Sequence, residues 1–196
     1  MVAPMKCPRG DVQTCEPMKP RLFLLAAVAF AAAPLGGCQP AGSSATAPAS
    51  AEHPLLGAAA PDFDLPRIGD AQGNPRFRSS DRGNKLLVVD FWATWCNPCR
   101  NSFPAYEQMS RERKADTVFL GVSVDEEPSG IPGFIEETGV SFPVVWDESQ
   151  VVAGAYEPPT MPTTFVVDQH GIVRFVHTGY RAGDEEQLAA VLDSLR

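Results

Sequence analysis

Apolar and polar residues alternate along the chain in two periods, and this predicts alternating strands and helices from about residue 55 onward. The stretch LLVVDFWA is almost continuously apolar and rich in Val and Phe, which is typical of a strand buried on both faces. The predicted strands are LLVVDFWA (86–93), TVFLGVSVD (117–125), FPVVWD (142–147), TTFVVD (163–168) and IVRFVHTGY (172–180), the last two paired across a turn at Gln169-His170-Gly171.

Helices are predicted between these strands. They cover 97–114, a segment through Phe134 and Ile135 that Gly139 ends, a turn or short helix over 149–156, and an amphipathic helix over 184–195. The segment PDFDLP and residues 76–78 predict a short leading hairpin. Strands that alternate with helices indicate an α/β fold, a sheet covered by helices, with an N-terminal β-hairpin extension.

The first part of the chain has a different pattern. Lys19 and Arg21 precede an apolar run over residues 22–35, which ends in small residues and Cys38. This layout predicts an export signal over residues 1–38, because a membrane span needs about 20 apolar residues. Residues 1–17 carry acidic residues that do not fit a signal peptide, so Met18 is a second candidate for the true start.

The signal ends in LGGC, which resembles the lipobox of bacterial lipoproteins. The resemblance implies that Cys38 receives a lipid and becomes the first residue of the mature protein, anchored to a membrane through two acyl chains. The alternative that Cys38 is a cleaved or idle thiol stays open. Residues 39–54 are rich in Ala, Ser, Pro and Gly and predict a flexible linker, so the folded domain is expected over residues 55–196.

Composition and charge narrow the class of protein. A chain of 196 residues with 44% hydrophobic residues can bury one ordinary core. Its formal net charge is −8 and no basic block occurs, which argues against a nucleic acid partner. If translation starts at Met18 and Cys38 is lipidated, Cys96 and Cys99 are the cysteines that remain as thiols outside the cytoplasm, where disulfides persist.

Cys96 and Cys99 lie in FWATWCNPCR, where the buried strand is followed by a predicted helix. A thiol at a helix N-terminus faces unpaired backbone N–H groups and the positive end of the helix dipole, which favour the thiolate. Cys96 is therefore predicted to be the nucleophile. Cys99, three residues later on the same helix face, is predicted to resolve the mixed disulfide that Cys96 forms.

Two alternatives for this pair are weaker. A structural zinc site needs four ligands, and beyond the two cysteines the chain offers the scattered histidines His53, His170 and His177. A purely structural disulfide would close too short a loop to add much stability. The sequence thus favours redox chemistry, and we expect neither a metal nor a cofactor.

The combination of DFWATWCNPC with MPTTFVVD resembles the thioredoxin superfamily, and more narrowly the bacterial membrane-anchored TlpA/ResA-like thiol-disulfide oxidoreductases. The resemblance covers about residues 54–196 and includes the APDFDLP opening. It implies a central mixed sheet with flanking helices, a CxxC active site and a cis-proline opposite it, at Pro162. It also implies protein disulfides or dithiols as substrates, a membrane electron donor or acceptor, and a place in the periplasm of the bacterial cell envelope.

Four further residues are candidates for the site. Asp90 interrupts the buried strand six residues before Cys96, where thioredoxins carry a buried acid, and burial should raise its pKa so that it can accept a proton from Cys99. Pro162 lacks an N–H, and its turn should leave the backbone of Met161 free to pair with an extended substrate. Trp95 is predicted to contribute contact surface beside the cysteines.

Two positions depart from the narrower family. TlpA/ResA-like members often have Asn where Asp90 stands, and Glu where this chain has Ser102. Because the acid lies at a different position, the resemblance supports disulfide exchange more strongly than it supports a reductive role in cytochrome c maturation or disulfide homeostasis.

Three other functions compete with disulfide exchange. A peroxidase of the peroxiredoxin type should have Thr or Ser three residues before its reactive Cys and Pro seven before, where this chain has Ala93 and Val89. A copper-binding chaperone would use two cysteines four apart and a distant His. The cysteines of this chain are three apart, so His177 is a poor third ligand. A non-catalytic thioredoxin-like binding module remains the alternative without chemistry.

Overall fold

The computed structural model describes residues 50–69 and 75–196 of the chain. The predicted export signal, Cys38 and most of the predicted linker lie outside the described residues. The strands are β1 (Asp64–Pro66), β2 (Arg76–Arg78), β3 (Leu86–Trp92), β4 (Thr117–Ser123), β5 (Val144–Trp146), β6 (Thr163–Val167) and β7 (Val173–Thr178). The helices are α1 (Asn97–Glu112), α2 (Ile131–Thr138), α3 (Val151–Tyr156) and α4 (Asp184–Ser194), with short 3₁₀ turns at Ser79–Arg82 and Pro128–Gly130.

The strand β3 is the centre of a five-stranded mixed sheet with the order β5-β4-β3-β6-β7. The strands β3, β4 and β5 are parallel, whereas β6 runs antiparallel to both β3 and β7. Successive side chains of β3 enter two different apolar clusters, with Leu86, Val88 and Trp92 in one and Leu87, Val89 and Phe91 in the other. The prediction of a strand buried on both faces is confirmed.

Helices cover both faces of this sheet. On one face, α1, α2 and α4 contribute apolar side chains to the cluster that contains Trp92. On the other face, Val152 and Tyr156 of α3 pack with Leu65 of β1 and Phe77 of β2. The leading hairpin predicted from the sequence is present as the antiparallel pair β1–β2, and it forms part of the second layer.

The N-terminal segment pairs with both edges of the sheet. At the β7 edge, the N–H of Ala51 donates to the C=O of Val176 at 2.8 Å, and the N–H of Gly57 donates to the C=O of Val173 at 2.8 Å. At the β5 edge, the N–H of Ile68 donates to the C=O of Val144 at 2.9 Å. These bonds occupy backbone groups at both edges that could otherwise pair with the strands of other chains.

The folded unit begins before the predicted domain start at residue 55. Besides the bond of Ala51, the hydroxyl of Ser50 accepts the N–H of Val176 at 2.8 Å and donates to its C=O at 3.2 Å. The last residues of the predicted linker over 39–54 therefore pair with β7. Composition does not reveal this, because small residues pair through their backbone and need no apolar side chain to do so.

The ends of the other elements differ from the prediction by at most three residues. The helix α1 ends at Glu112 instead of residue 114, and α3 begins at Val151 instead of residue 149. Gly139 ends α2 as predicted. Its φ is 68°, a positive value that residue types other than glycine rarely adopt.

Candidate active site

The two cysteines lie where β3 passes into α1. Cys96 is the N-cap residue of the helix and Cys99 lies in its first turn. Their sulfurs form a disulfide, with the Cα atoms 5.3 Å apart. The backbone N–H of Cys99 also donates to the Cys96 sulfur at 3.2 Å. The helix start therefore places an N–H donor against the sulfur predicted to be the nucleophile, and no acidic residue occupies the first turn.

A buried carboxylate fixes the residues just before Cys96. Asp125 follows β4, and both of its oxygens accept the N–H of Thr94, at 3.1 and 3.0 Å. The hydroxyls of Thr94 and Ser123 donate to the same carboxylate at 2.7 and 2.8 Å. On the other side, the Arg100 guanidinium donates to the C=O of Thr94 at 2.7 Å.

Sequence reasoning missed the role of Asp125 and Arg100. A signal was present for Asp125, because parallel strands end at the same edge of a sheet and an acidic residue follows β4 beside the cysteine loop. No local pattern reveals that Arg100 bonds backward to Thr94. These contacts position the turn from which Cys96 projects.

The exposure of the site residues differs sharply. Trp95 is 68% exposed, as expected for a contact surface, whereas Cys96 is 3% exposed and Cys99 is fully buried. The predicted nucleophile Cys96 is therefore largely shielded from solvent in this structure. In the disulfide form its sulfur is bonded to the buried Cys99, and the residue packs in the cluster of α1 side chains, so that little of its surface meets solvent.

The proline segment lies at the same edge of the sheet as the cysteines. The antiparallel register pairs Phe91 of β3 with Thr163 of β6, so Pro162 precedes β6 where β3 ends. The Met161–Pro162 peptide bond is cis, as the resemblance implied. Met161 is half-buried and packs against both apolar clusters. Among the residues described, the backbone N–H and C=O of Met161 have no hydrogen-bond partner.

Asp90 is buried in β3, with 2% of its surface exposed. It lies opposite Thr164 of β6, whose hydroxyl donates to Asp90 Oδ1 at 2.7 Å. Asp90 Oδ2 is buried and has no partner among the described residues. Burial raises the pKa of Asp90 to about 7, and the hydrogen bond from Thr164 partly opposes this rise. The direction of this shift is the one that burial of the carboxyl leads us to expect.

Ser102, at the position where the narrower family often has Glu, is fully buried. Its hydroxyl donates to the C=O of Cys99 at 3.1 Å. Pro104 lies inside α1 and has no N–H for the helical ladder.

The histidine weighed as a copper ligand has another partner. His177 Nε2 lies 2.9 Å from a carboxylate oxygen of Asp184 at the start of α4. Within residues 50–69 and 75–196, no group of three or more His, Cys, Asp or Glu side chains could hold a metal ion. In the same ranges, no helix has the length and apolar character needed to cross a membrane.

Comparisons with known proteins agree with this site. The AhpC/TSA family model matches residues 56–176. Thiol-disulfide oxidoreductase ResA of Geobacillus kaustophilus is 34% identical over 142 residues, which cover 72% of this chain and 78% of the relative. The ResA protein of Bacillus subtilis is 36% identical over 124 residues, covering 63% of this chain and 67% of the relative.

A solved structure from Chlorobium tepidum, provisionally named thiol:disulfide interchange protein DsbE, has a TM-score of 0.63 and 32% identity, covering 70% of this chain and 97% of that one. The mixed sheet and the cysteine pair at the helix start thus define a thiol-disulfide oxidoreductase with a thioredoxin-like fold. The chain belongs to the AhpC/TSA family and, within it, to the thiol-disulfide oxidoreductases of the ResA type.

The pKa of Asp90 predicts a pH-dependent stability. The pKa of the carboxyl is 3.8 in the unfolded chain and about 7 in the folded protein, so the folded state keeps the proton to higher pH. The free energy of unfolding should therefore fall by on the order of 4 kcal/mol between about pH 4 and pH 7 and stay level above pH 7. Asp90→Asn should lack this fall.

Urea unfolding of the oxidised protein across this pH range measures the effect as the difference between wild type and Asp90→Asn. Glu126→Gln removes an exposed carboxylate and serves as the matched control, which should follow wild type. Parallel curves for wild type and Asp90→Asn would contradict the assignment of the raised pKa to Asp90.

Proposed function

We propose that the protein exchanges disulfides with partner proteins in the bacterial cell envelope, with Cys96 as nucleophile and Cys99 as resolving thiol. The observation that carries the proposal is the Cys96 sulfur at the N-terminus of α1, 3.2 Å from the Cys99 amide nitrogen. In the reduced protein, the same N–H group and the helix dipole favour the thiolate of Cys96.

The reaction has two exchanges. The Cys96 thiolate attacks one sulfur of a partner disulfide, the other partner sulfur leaves as a thiolate, and a mixed disulfide forms. Cys99 then loses its proton and attacks the Cys96 sulfur, which releases the partner's second thiolate. Two electrons have passed to the partner, and the protein is left with the Cys96–Cys99 disulfide. The reverse sequence oxidises a partner dithiol, and the reduction potential sets the direction.

Asp90 is proposed as the group that takes the proton of Cys99. It lies on the α1 face of the sheet, since its neighbours Val88 and Trp92 belong to the same cluster as both cysteines. A carboxyl whose pKa is about 7 can both accept and return a proton near neutral pH.

Substrate docking is proposed at Trp95, Met161 and Pro162. The exposed ring of Trp95 precedes the nucleophile and offers apolar contact area. The unpaired backbone N–H and C=O of Met161 lie beside the end of β3, where an extended segment of the partner can add backbone hydrogen bonds. Such pairing presents a disulfide to Cys96 without selecting a particular sequence.

The export signal predicted from the sequence and the resemblance of LGGC to a lipobox support a lipid anchor at Cys38, with the catalytic domain in the periplasm. A reductase in an oxidising compartment needs a source of electrons, and we propose a dithiol protein of the membrane as that donor. Disulfide homeostasis and cytochrome c maturation are the roles that fit this arrangement.

Insulin reduction tests the chemistry. Wild type with dithiothreitol as electron donor should reduce insulin, Cys96→Ser should lose the catalysed rate, and Cys99→Ser should accumulate mixed disulfides that non-reducing gels resolve. Cys38→Ser is the matched cysteine control and should keep the wild-type rate. Equal rates for wild type and Cys96→Ser would contradict catalysis and favour a non-catalytic binding module.

Membrane fractionation tests the anchor. In cells that express the full chain, wild type should sediment with membranes and incorporate labelled palmitate, whereas Cys38→Ser should do neither. Labelling of Cys38→Ser at the wild-type level would exclude this residue as the lipid acceptor.

A further inference from the structure

We propose that the hydroxyls of Thr164 and Tyr106 are positioning groups for the proton step of resolution, because they hold Asp90 Oδ1 and leave Oδ2 as the atom that takes the Cys99 proton. This inference rests on the proposed disulfide exchange and on Asp90 as its base. It adds two residues that neither the CxxC motif nor the cis-proline motif contains.

The hydrogen bonds form one chain from α1 through β6 to β3. Thr164 Oγ1 donates to Asp90 Oδ1 at 2.7 Å, and Tyr106 Oη lies 3.1 Å from the same Thr164 oxygen. A threonine hydroxyl has a single hydrogen, which Thr164 gives to Asp90, so Tyr106 must be the donor to Thr164. When the carboxylate is ionised, the Thr164 hydroxyl therefore donates to Oδ1 and the Tyr106 hydroxyl donates to Thr164 Oγ1.

The fold explains why these three side chains meet. Asp90 and Thr164 are direct partners in the antiparallel register of β3 and β6. Tyr106 follows Cys99 by seven residues, or about two turns, so both side chains lie on the same face of α1. Tyr106 is 2% exposed and Thr164 is fully buried, which keeps water from replacing either hydrogen bond.

The second oxygen of the carboxyl group has the opposite situation. Asp90 Oδ2 is buried without a hydrogen-bond partner among the described residues. Most buried polar atoms have a partner, and an exception calls for a reason. With Oδ1 already accepting a hydrogen bond, Oδ2 is the oxygen free to receive a proton, and the Cys99 thiol is the donor that the proposed exchange supplies. The proton moves from Cys99 sulfur to Oδ2 as Cys99 attacks Cys96.

Few other titratable side chains lie near the hydrogen-bonded series Tyr106, Thr164 and Asp90. Tyr106 and the cysteine pair lie on α1, and Gly121 of β4 pairs with Asp90 but has no side chain. On β7, His177 pairs with Thr164 and lies 2.9 Å from Asp184. Burial is the main cause of the raised pKa of Tyr106. The nearby groups Asp90, Tyr180 and Asp184 raise this pKa further. The causes of the raised pKa of Asp90 include no other charged side chain. Its titration therefore depends on burial and on the Thr164 hydroxyl.

Removing the Thr164 hydroxyl should make the carboxylate harder to ionise and leave its two oxygens equivalent. Thr164→Val keeps the side-chain shape and lacks the donor. We expect the pH midpoint of the resolution step to rise by about one unit, which slows resolution about fivefold at pH 7. Tyr106→Phe should shift the midpoint in the same direction by less, since it acts through Thr164.

The two steps of exchange can be separated with Ellman's reagent. Reaction with Cys96 releases a first thionitrobenzoate, and attack by Cys99 releases the second in a unimolecular phase. Stopped-flow absorbance follows both phases across pH in the reduced full chain, with Cys7, Cys15 and Cys38 replaced by Ser. The variants should alter the second phase and leave the first unchanged.

The controls distinguish positioning from general damage. Thr164→Ser restores the hydroxyl and should restore the wild-type midpoint. Tyr156→Phe removes another buried tyrosine hydroxyl, which donates to the C=O of Pro61 on the opposite face of the sheet, and should have no effect on the midpoint. In an Asp90→Asn background, Thr164→Val should cause no further change in the pH profile of the second phase.

An unchanged midpoint in Thr164→Val would overturn the inference, as would an equal shift in Tyr156→Phe or a shift that persists in the Asp90→Asn background. The first phase reports separately on the proposed function. If wild type shows no release by Cys96, disulfide exchange itself fails, whereas two normal phases with an unmoved midpoint reject only the positioning role.

Discussion

The hydrogen bond between the Cys99 amide and the Cys96 sulfur is the interaction on which the rest of the site depends. It exists because a strand buried on both faces ends at Trp92 and a helix starts five residues later. Asp125 and Arg100 fix the intervening turn from its two sides through Thr94. A rigid strand and a rigid helix thus place one sulfur at the positive end of a dipole, where a thiolate is stabilised.

The site divides into an outer and an inner part with different physics. The outer part has the exposed Trp95 and the free backbone groups of Met161, which suit contact with another protein. The inner part has Cys99 and Asp90, both buried among apolar side chains. An ionisable group in such surroundings lowers stability near neutral pH, and it is kept where its altered pKa serves a reaction. Burial and the proton transfer that we propose for Asp90 are therefore two consequences of one placement.

The sequence was sufficient for whatever depends on local pattern. It predicted the buried strand, the helix that begins after Cys96, and the acidic residue that interrupts β3, while the cis form of the Met161–Pro162 bond came from the resemblance. Contacts between distant segments were not predictable. Thr164 meets Asp90 across 74 positions of the chain, and Asp125 reaches Thr94 across 31. Such pairs depend on strand register and helix placement, which no single window of sequence encodes.

The most direct test of the account is the pH dependence of alkylation at Cys96 in reduced Cys99→Ser protein. Iodoacetamide reacts with thiolates, and mass spectrometry of the peptide that contains Cys96 isolates this residue from the other cysteines. A sulfur stabilised by the helix start should reach half its maximal rate well below about pH 8.5, the value for an ordinary cysteine. Half-maximal reaction at or above that pH would show that the helix start does not activate Cys96, and the account would fail.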